Sequence, residues 1–439
     1  MTVVAAAAGP RGIHGSYLIS YCQSGAQRRC AGSVIVFLPM KITGVRTFVV
    51  GNPTPGYGGR YFILLKLVTD AGIEGLGEVY VATVSPHVVA RMIEDVVERH
   101  VVGRDPFHIE ATWRDVYASG YAMRPDPTLV GVLSGIEIAM WDIAGKGVGK
   151  PVYELLGGRV RERLRTYSYL YAQPDDATDA YLDPELAATR AGEYAALGFT
   201  AIKFDPAGVY ASFDPRQPSL DDLDRCERYV GAIREAVGSR CDLLFGTHGQ
   251  FTAAGAIRLA RRLERFDPLW YEEPTPPEAP EEMARVARAT SIPIATGERL
   301  TTKHEFARVL AAGAAAILQM NVGRVGGLLE ARKIAGMAEC HYAQIAPHLY
   351  SGPVLGAANI QLATCTTNFL VLEGIGRWDG IHAALLQEPI RWEDGYVIPP
   401  TAPGIGVELD EAVALAHPYT GSQLHLEALP GEYPPPAAP

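Results

Sequence analysis

From Lys41 to Gly77 apolar and polar residues alternate with a period of two, and a Gly/Pro loop interrupts them once. The stretch reads as a first strand followed by RYFILLKLVTD and GIEGLGEVY, the last two separated by the turn-forming Asp70-Ala71-Gly72. A small antiparallel meander is predicted. From Ser85 to about Gly157 the period becomes helical, with Ile136, Met140 and Ile143 recurring on one face. Together these stretches predict an α+β lobe over residues 40–160. After Arg165 short apolar runs alternate with amphipathic segments rich in Ala, Arg and Glu, the rhythm of a parallel sheet built from βα units. The runs are RTYSYLYA, AIKFDP, DLLFGTHG, PLWYEEP, PIATGE, AAILQMN, QIAPHL and FLVLEG, and eight is the count that closes a barrel, here over 161–380. Beyond Trp378 the short strands and turns of WEDGYVIPPTAPGIGVELD predict that 381–439 rejoins the first lobe and ends in a loose Pro/Ala tail from Pro430.

Composition narrows the classes. The chain has 439 residues, 48% apolar and 20% charged, which is ordinary globular composition and enough for two domains. A net charge of −10 without a clustered basic patch argues against a nucleic-acid or anionic-membrane partner. No apolar run is expected to reach membrane-spanning length, so the chain is read as soluble and cytoplasmic. The six cysteines lack CxxC spacing and read as reduced thiols, not a zinc site. Residues 1–39 are rich in Ala, Gly and Ser and break their apolar runs with Gly-Pro and Arg-Arg, so they read as a disordered leader, not a signal peptide, with Met40 the expected natural start.

Candidate chemistry lies at the strand ends. Nearly every run closes on Lys, Asp, His, Glu or Asn, and in a barrel the strand C-termini converge on one mouth where catalytic side chains sit. Charges that only mark an exit to solvent explain one or two such ends, but not carboxylates on consecutive runs.

The Ala139-Met-Trp-Asp-Ile-Ala-Gly-Lys146 core and Leu155-Leu-Gly-Gly158 ending, with Glu272-Glu273-Pro274, Gly297-Glu298, Gly326-Gly327 and Pro403-Gly-Ile-Gly-Val-Glu-Leu-Asp410, resemble the mandelate racemase and muconate lactonizing branch of the enolase superfamily. The resemblance runs from about Met40 to about His417 and is nearest to the acid-sugar dehydratases. It implies an α/β fold, a modified TIM barrel (β/α)7β under an N-terminal α+β capping domain completed by the C-terminal segment. It also implies a homo-oligomer, dimer or octamer, with one Mg2+ at the strand ends. The implied activity is removal of the proton α to a carboxylate. The expected reaction is dehydration of an aldonic or aldaric acid to a 2-keto-3-deoxy acid. An epimerase or cycloisomerase, and a non-catalytic sugar-acid-binding relative, stand as alternatives.

Such chemistry needs positive charge aimed at the enediolate, and hard oxygen ligands to hold a divalent metal. By resemblance Glu272 and Glu298 match two of three metal ligands. The third position is Gly246, leaving Asp205 from the neighbouring strand, His248 through nitrogen, or weak or absent Mg2+ binding; Asp205 is preferred. Lys203 matches a base or a clamp on the substrate carboxylate, or only braces the mouth against Asp205. Asp205 stands where racemases carry a second Lys, which argues against a two-base racemase. His348 occupies the base position, but Asn321 replaces its usual Asp partner and supplies no negative charge, so a lowered His348 pKa is expected. His248 matches the acid that protonates a departing β-hydroxyl, and Glu373 an acid that hydrogen-bonds the substrate carboxylate or enediolate. Arg299 pairs either with a substrate carboxylate or with a neighbour. Tyr57, Arg60 and Tyr80 are expected on loops that close over the mouth and select the substrate.

Overall fold

The computed structural model describes residues 17–19, 34–36, 40–121, 124–208 and 216–425. The expected leader and the Pro/Ala tail lie outside the described residues, save for β1 (Tyr17–Ile19) and β2 (Val34–Val36), which pair antiparallel. The meander follows as β3 (Ile42–Gly51), β4 (Tyr61–Thr69) and β5 (Glu74–Val79), in sheet order β3-β4-β5. Helices α1 (Pro86–Val96), α2 (Ile109–Tyr117) and α3 (Pro127–Val148) cover it, and a short α4 (Val152–Leu155) leads to the barrel.

Helix α3 starts where Asp126 accepts the N–H groups of Thr128 and Leu129 ahead of Pro127, and stops at left-handed Gly149. It lies against β5 so closely that a Cβ on Gly75 would stand 2.0 Å from the Ala139 carbonyl oxygen, and one on Gly77 2.0 Å from that of Gly135. Two glycines spaced by the strand period thus form the groove that takes the helix. The expectation that no apolar run reaches membrane-spanning length is corrected here: α3 has 22 residues and is apolar enough to span a bilayer, but 83% of its apolar window is buried inside the protein. It is apolar all round because it packs on two sides.

The barrel strands are β6 (Leu164–Tyr169), β7 (Ala201–Phe204), β8 (Asp242–Gly246), β9 (Trp270–Glu272), β10 (Ile294–Thr296), β11 (Ile317–Leu318), β12 (Gln344–Ile345) and β13 (Leu372–Gly374). Neighbours pair in parallel from β6 through β12, β13 pairs with β6, and Ile345 bridges to Phe369, so the ring closes. Helices α5 (Pro184–Ala196), α6 (Leu220–Val237), α7 (Ala253–Leu263), α8 (Pro280–Ala287), α9 (Thr302–Ala312), α10 (Leu328–Cys340) and α11 (Pro353–Cys365) follow the first seven strands, giving (β/α)7β. The ring interior is filled by Tyr167, Ala201, Leu244, Trp270, Ala295, Ile317, Ala346 and Val371, a packed core below the mouth.

Buried carboxylates of the first domain fasten it to the barrel. Glu137 accepts the N–H groups of Leu328 and Leu329 at the start of α10, at 2.7 and 2.9 Å, and Glu78 those of Gly352 and Leu355 at the start of α11, at 2.5 and 2.8 Å. Each helix N-terminus gains an acceptor for its orphan donors. The chain then passes through α12 (Ile381–Ala384), the hairpin β14 (Trp392–Glu393) and β15 (Tyr396–Val397), and α13 (Glu411–Ala416), before Pro418 bridges antiparallel to Val50 of β3.

Candidate active site

Strand register brings the polar ends together. Glu272 ends β9 opposite Gly246 of β8 and Ala295 of β10, so Glu298, just past β10, stands beside it. Lys203 lies within β7 and Glu373 within β13. Lys203, Asp205, Glu272, Glu298, Asn321, His348 and Glu373 are all buried. Ionisable groups this dry persist only where they compensate one another.

Lys203 is the centre of that compensation. Its Nζ donates to Glu272 Oε1 at 2.6 Å and lies 3.6 Å from Glu373 Oε1. Burial lowers the Lys203 pKa, but the charges of Glu272, Glu373 and Glu298 outweigh it and hold the ammonium well above its usual range. The cation is therefore fixed, which favours the clamp over the base among the sequence alternatives. It also fills the space that the third strand leaves open, since a Cβ on Gly246 would stand 3.2 Å from Lys203 Cε. The other oxygen of Glu272 accepts from Trp270 Nε1 at 3.1 Å and Gln319 Nε2 at 2.7 Å. Burial pushes Glu373 up to about 7, against the pull of Lys203.

The two histidines follow β8 and β12, four strands apart in a ring of eight and thus on opposite sides of the mouth. His248 Nδ1 is 3.2 Å from Asp205 Oδ2. Asp205, the preferred third metal ligand, faces His248 through Oδ2, and its Oδ1 accepts from the Ala207 N–H at 3.2 Å and Gln250 Nε2 at 3.5 Å. Burial lowers the His248 pKa, but the hydrogen bond to Asp205 and the charges of Glu298 and Asp205 outweigh it and raise the pKa above its ordinary value. Strand alternation places His248 on the face of Gly246, and a Cβ on Gly246 would stand 3.7 Å from His248 Cε1; His248 lies just beyond the strand with φ +48°.

Asn321 and His348 meet as the resemblance implies, with Asn321 Nδ2 2.9 Å from His348 Nδ1. Burial, then the Lys203 charge, lowers the His348 pKa to about 3, in the expected direction. His348 Nε2 faces Glu298 Oε2 at 3.6 Å.

The loop residues divide. Tyr80 is buried with its ring 6.0 Å from that of His348, at the mouth. Tyr57 donates to the Ala172 carbonyl at 2.9 Å and stacks on Tyr171, tying the first-domain loop to the barrel. Arg60 donates to the Leu424 carbonyl, and its own N–H to His425 Nδ1 at 3.3 Å, so it holds the C-terminal segment. Arg299 Nε donates to Glu273 at 2.8 Å, the neighbour of the two partners left open for it. Sequence reading missed Trp270, Gln319 and His425. The first was open to it, because Trp270 lies two residues before Glu272 and so shares its face. His425, its ring 3.9 Å from that of Tyr61 and tilted by 31°, carried no local signal.

The donor set suits a hard cation in part. Among the described residues no group of three or more His, Cys, Asp or Glu could enclose a metal. Two carboxylates nevertheless fit: Glu298 Oε2 is buried without a hydrogen-bond partner, and Glu272 lies next to it on the adjoining strand. Mg2+ is commonly held by one or two carboxylates, with waters and substrate oxygens completing its shell.

Comparison with known proteins gives consistent matches. The family described as enolase C-terminal domain-like matches residues 186–413, and the mandelate racemase / muconate lactonizing enzyme N-terminal domain matches residues 56–157. The D-galactonate dehydratase of Ralstonia nicotianae is 37% identical over 364 residues, 81% of this chain and 90% of that protein. A solved structure from Labrenzia alexandrii, assigned to the mandelate racemase/muconate lactonizing enzymes, superposes with a TM-score of 0.86 at 62% identity over 88% of this chain and 99% of its own. The mandelate racemase/muconate lactonizing enzyme from Sulfitobacter gives a TM-score of 0.86 at 54% identity, over 88% and 98%.

Proposed function

This chain belongs to the mandelate racemase/muconate lactonizing enzyme family of the enolase superfamily, and from that membership we propose that it dehydrates an acid sugar, an aldonate or aldarate, to the 2-keto-3-deoxy acid. The observation that carries this reading is a fixed ammonium, Lys203, set among three buried carboxylates with imidazoles on both sides of the mouth. Lys203 offers its charge to the substrate carboxylate, and protonated Glu373 can donate to the same group. An imidazole at the mouth takes the α-proton, and the enediolate then expels the β-hydroxyl. Glu272 and Glu298 would hold Mg2+, which would supply further positive charge to the enediolate when bound. The capping domain and the Tyr80 and Tyr57 side chains exclude water and orient the polyol.

The test is a screen of Mg2+-supplemented protein against aldonic, uronic and aldaric acids, detecting 2-keto acid with semicarbazide. A keto acid from at least one of them is expected. Solvent deuterium entering C2 with no keto acid formed would replace dehydration by epimerisation.

A further inference from the structure

The two histidines differ in the group that holds Nδ1, and that difference fixes where each ring carries its hydrogen. A carboxylate only accepts, so Asp205 takes the Nδ1–H of His248 and leaves Nε2 as the nitrogen that accepts a proton. An amide NH2 only donates, so His348 Nδ1 accepts from Asn321, and the neutral ring carries its hydrogen on Nε2. The amide cannot turn round to reverse this. Asn321 Oδ1 accepts the Gly323 backbone N–H at 2.9 Å, and a flipped amide would set two donors face to face in a site where Asn321 is wholly buried. His348 thus has no basic nitrogen facing the mouth. Lys203 Nζ is occupied as well, donating to Glu272 Oε1 at 2.6 Å and facing Glu373 Oε1 at 3.6 Å.

We infer that His248, backed by Asp205, is both the base that removes the α-proton and the acid that expels the β-hydroxyl, whereas His348 is a fixed neutral hydrogen-bond donor to the enediolate. The inference rests on the dehydration reading and deepens it. The C2–H bond breaks, its proton going to His248 Nε2 and its electron pair into the carboxylate. The enediolate returns that pair to form C2=C3 as the C3–O bond breaks, and the imidazolium proton leaves with the hydroxyl as water. His248 ends neutral, and the enol tautomerises to the 2-keto acid. One residue handles both protons, so the elimination is syn. A neutral imidazole held by its second nitrogen is a known way to polarise an oxyanion, as in triosephosphate isomerase. Asp205 and Asn321 are positioning residues: each acts by selecting a tautomer.

The tautomers are read without substrate by long-range 1H–15N NMR of 15N-histidine-labelled full-length protein, the signals assigned by His248→Gln and His348→Gln. The expected result is an unprotonated Nδ1 on His348 and a protonated Nδ1 on His248. Asn321→Asp should move the His348 hydrogen to Nδ1, and Asp205→Asn should perturb His248 alone. A protonated His348 Nδ1 in the native protein overturns the inference. Turnover is followed with D-galactonate deuterated at C2 and with each acid that the screen returns. His348→Gln keeps an N–H donor and should retain activity within about tenfold, while His248→Gln should lose about 10³-fold in turnover and in release of the C2 deuteron. The opposite ranking restores His348 as the base and overturns the proposal. If the native protein releases no deuteron from any acid sugar, the dehydration reading falls and the base assignment with it, although the NMR still shows which tautomers the fold selects.

Discussion

Replacing Lys203 by Met keeps the stem and removes the charge that three carboxylates share. Lys203 and Glu272 are 2% and 1% exposed and 2.6 Å apart. Taking one partner from such a buried pair costs about 3–5 kcal/mol, because the other charge is left stranded. The cost depends on pH. Burial raises Glu373 to about 7 from its ordinary 4.5, so its contribution to stability is full below about 4.5 and is lost as pH rises through about 7. Over that window the wild-type loss is bounded at about 3.5 kcal/mol, since each pH unit between the two values is worth ~1.4 kcal/mol. Without the Lys203 charge, which pulls it down, the Glu373 carboxyl rises further, and the loss extends to higher pH. Lys203→Met should therefore be about 4 kcal/mol less stable than wild type at pH 8 and less than half of that at pH 5. Urea unfolding at both pH values, with m-values compared, measures it. Adding Glu272→Gln to the variant should recover stability at pH 8 without recovering turnover. A destabilisation that is the same at both pH values, or below about 1 kcal/mol, would refute the view of Lys203 as the counter-charge of this cluster.

Glu137→Ala removes the acceptor of Leu328 N–H, Leu329 N–H and Trp141 Nε1–H and should cost about 3 kcal/mol or more in chemical denaturation; a loss under about 1 kcal/mol would mean that those donors find other partners. Gly327→Ala should be comparably damaging, because its Cβ would stand 2.0 Å from Glu137 Oε2 at a φ of +91°, and an unchanged unfolding midpoint would contradict the tightness of that contact. Millimolar Mg2+ should raise the melting temperature of the wild type and not that of Glu298→Gln, and equal shifts would remove Glu298 from the metal set. Tyr57→Phe loses the bond to Ala172 and should raise KM about fivefold at unchanged kcat; an unaltered KM would separate that loop from substrate binding.

The parts that were legible in the sequence are those whose signal is local. The period of two in β3 to β5, the helical period of α3 and the βα rhythm each follow from residues a few positions apart, which decide their own faces. The same logic led to the polar ends Lys203, Glu272, Glu298, Asn321, His348 and Glu373, since a barrel sends every strand end to one mouth. Hydrogen-bond direction is not local. The Asn321 amide is oriented by the Gly323 N–H, and His248 meets Asp205 from the neighbouring strand, 43 residues away in the chain. Arg299 goes to Glu273, and His425 is carried back against Tyr61 from the far end of the chain. Sequence by itself therefore determined which ionisable groups reach the mouth. Tertiary structure alone decided which of them are already paired and where each imidazole keeps its hydrogen, because a donor or acceptor is assigned by its third-party neighbours, and those arrive from strands remote in the chain.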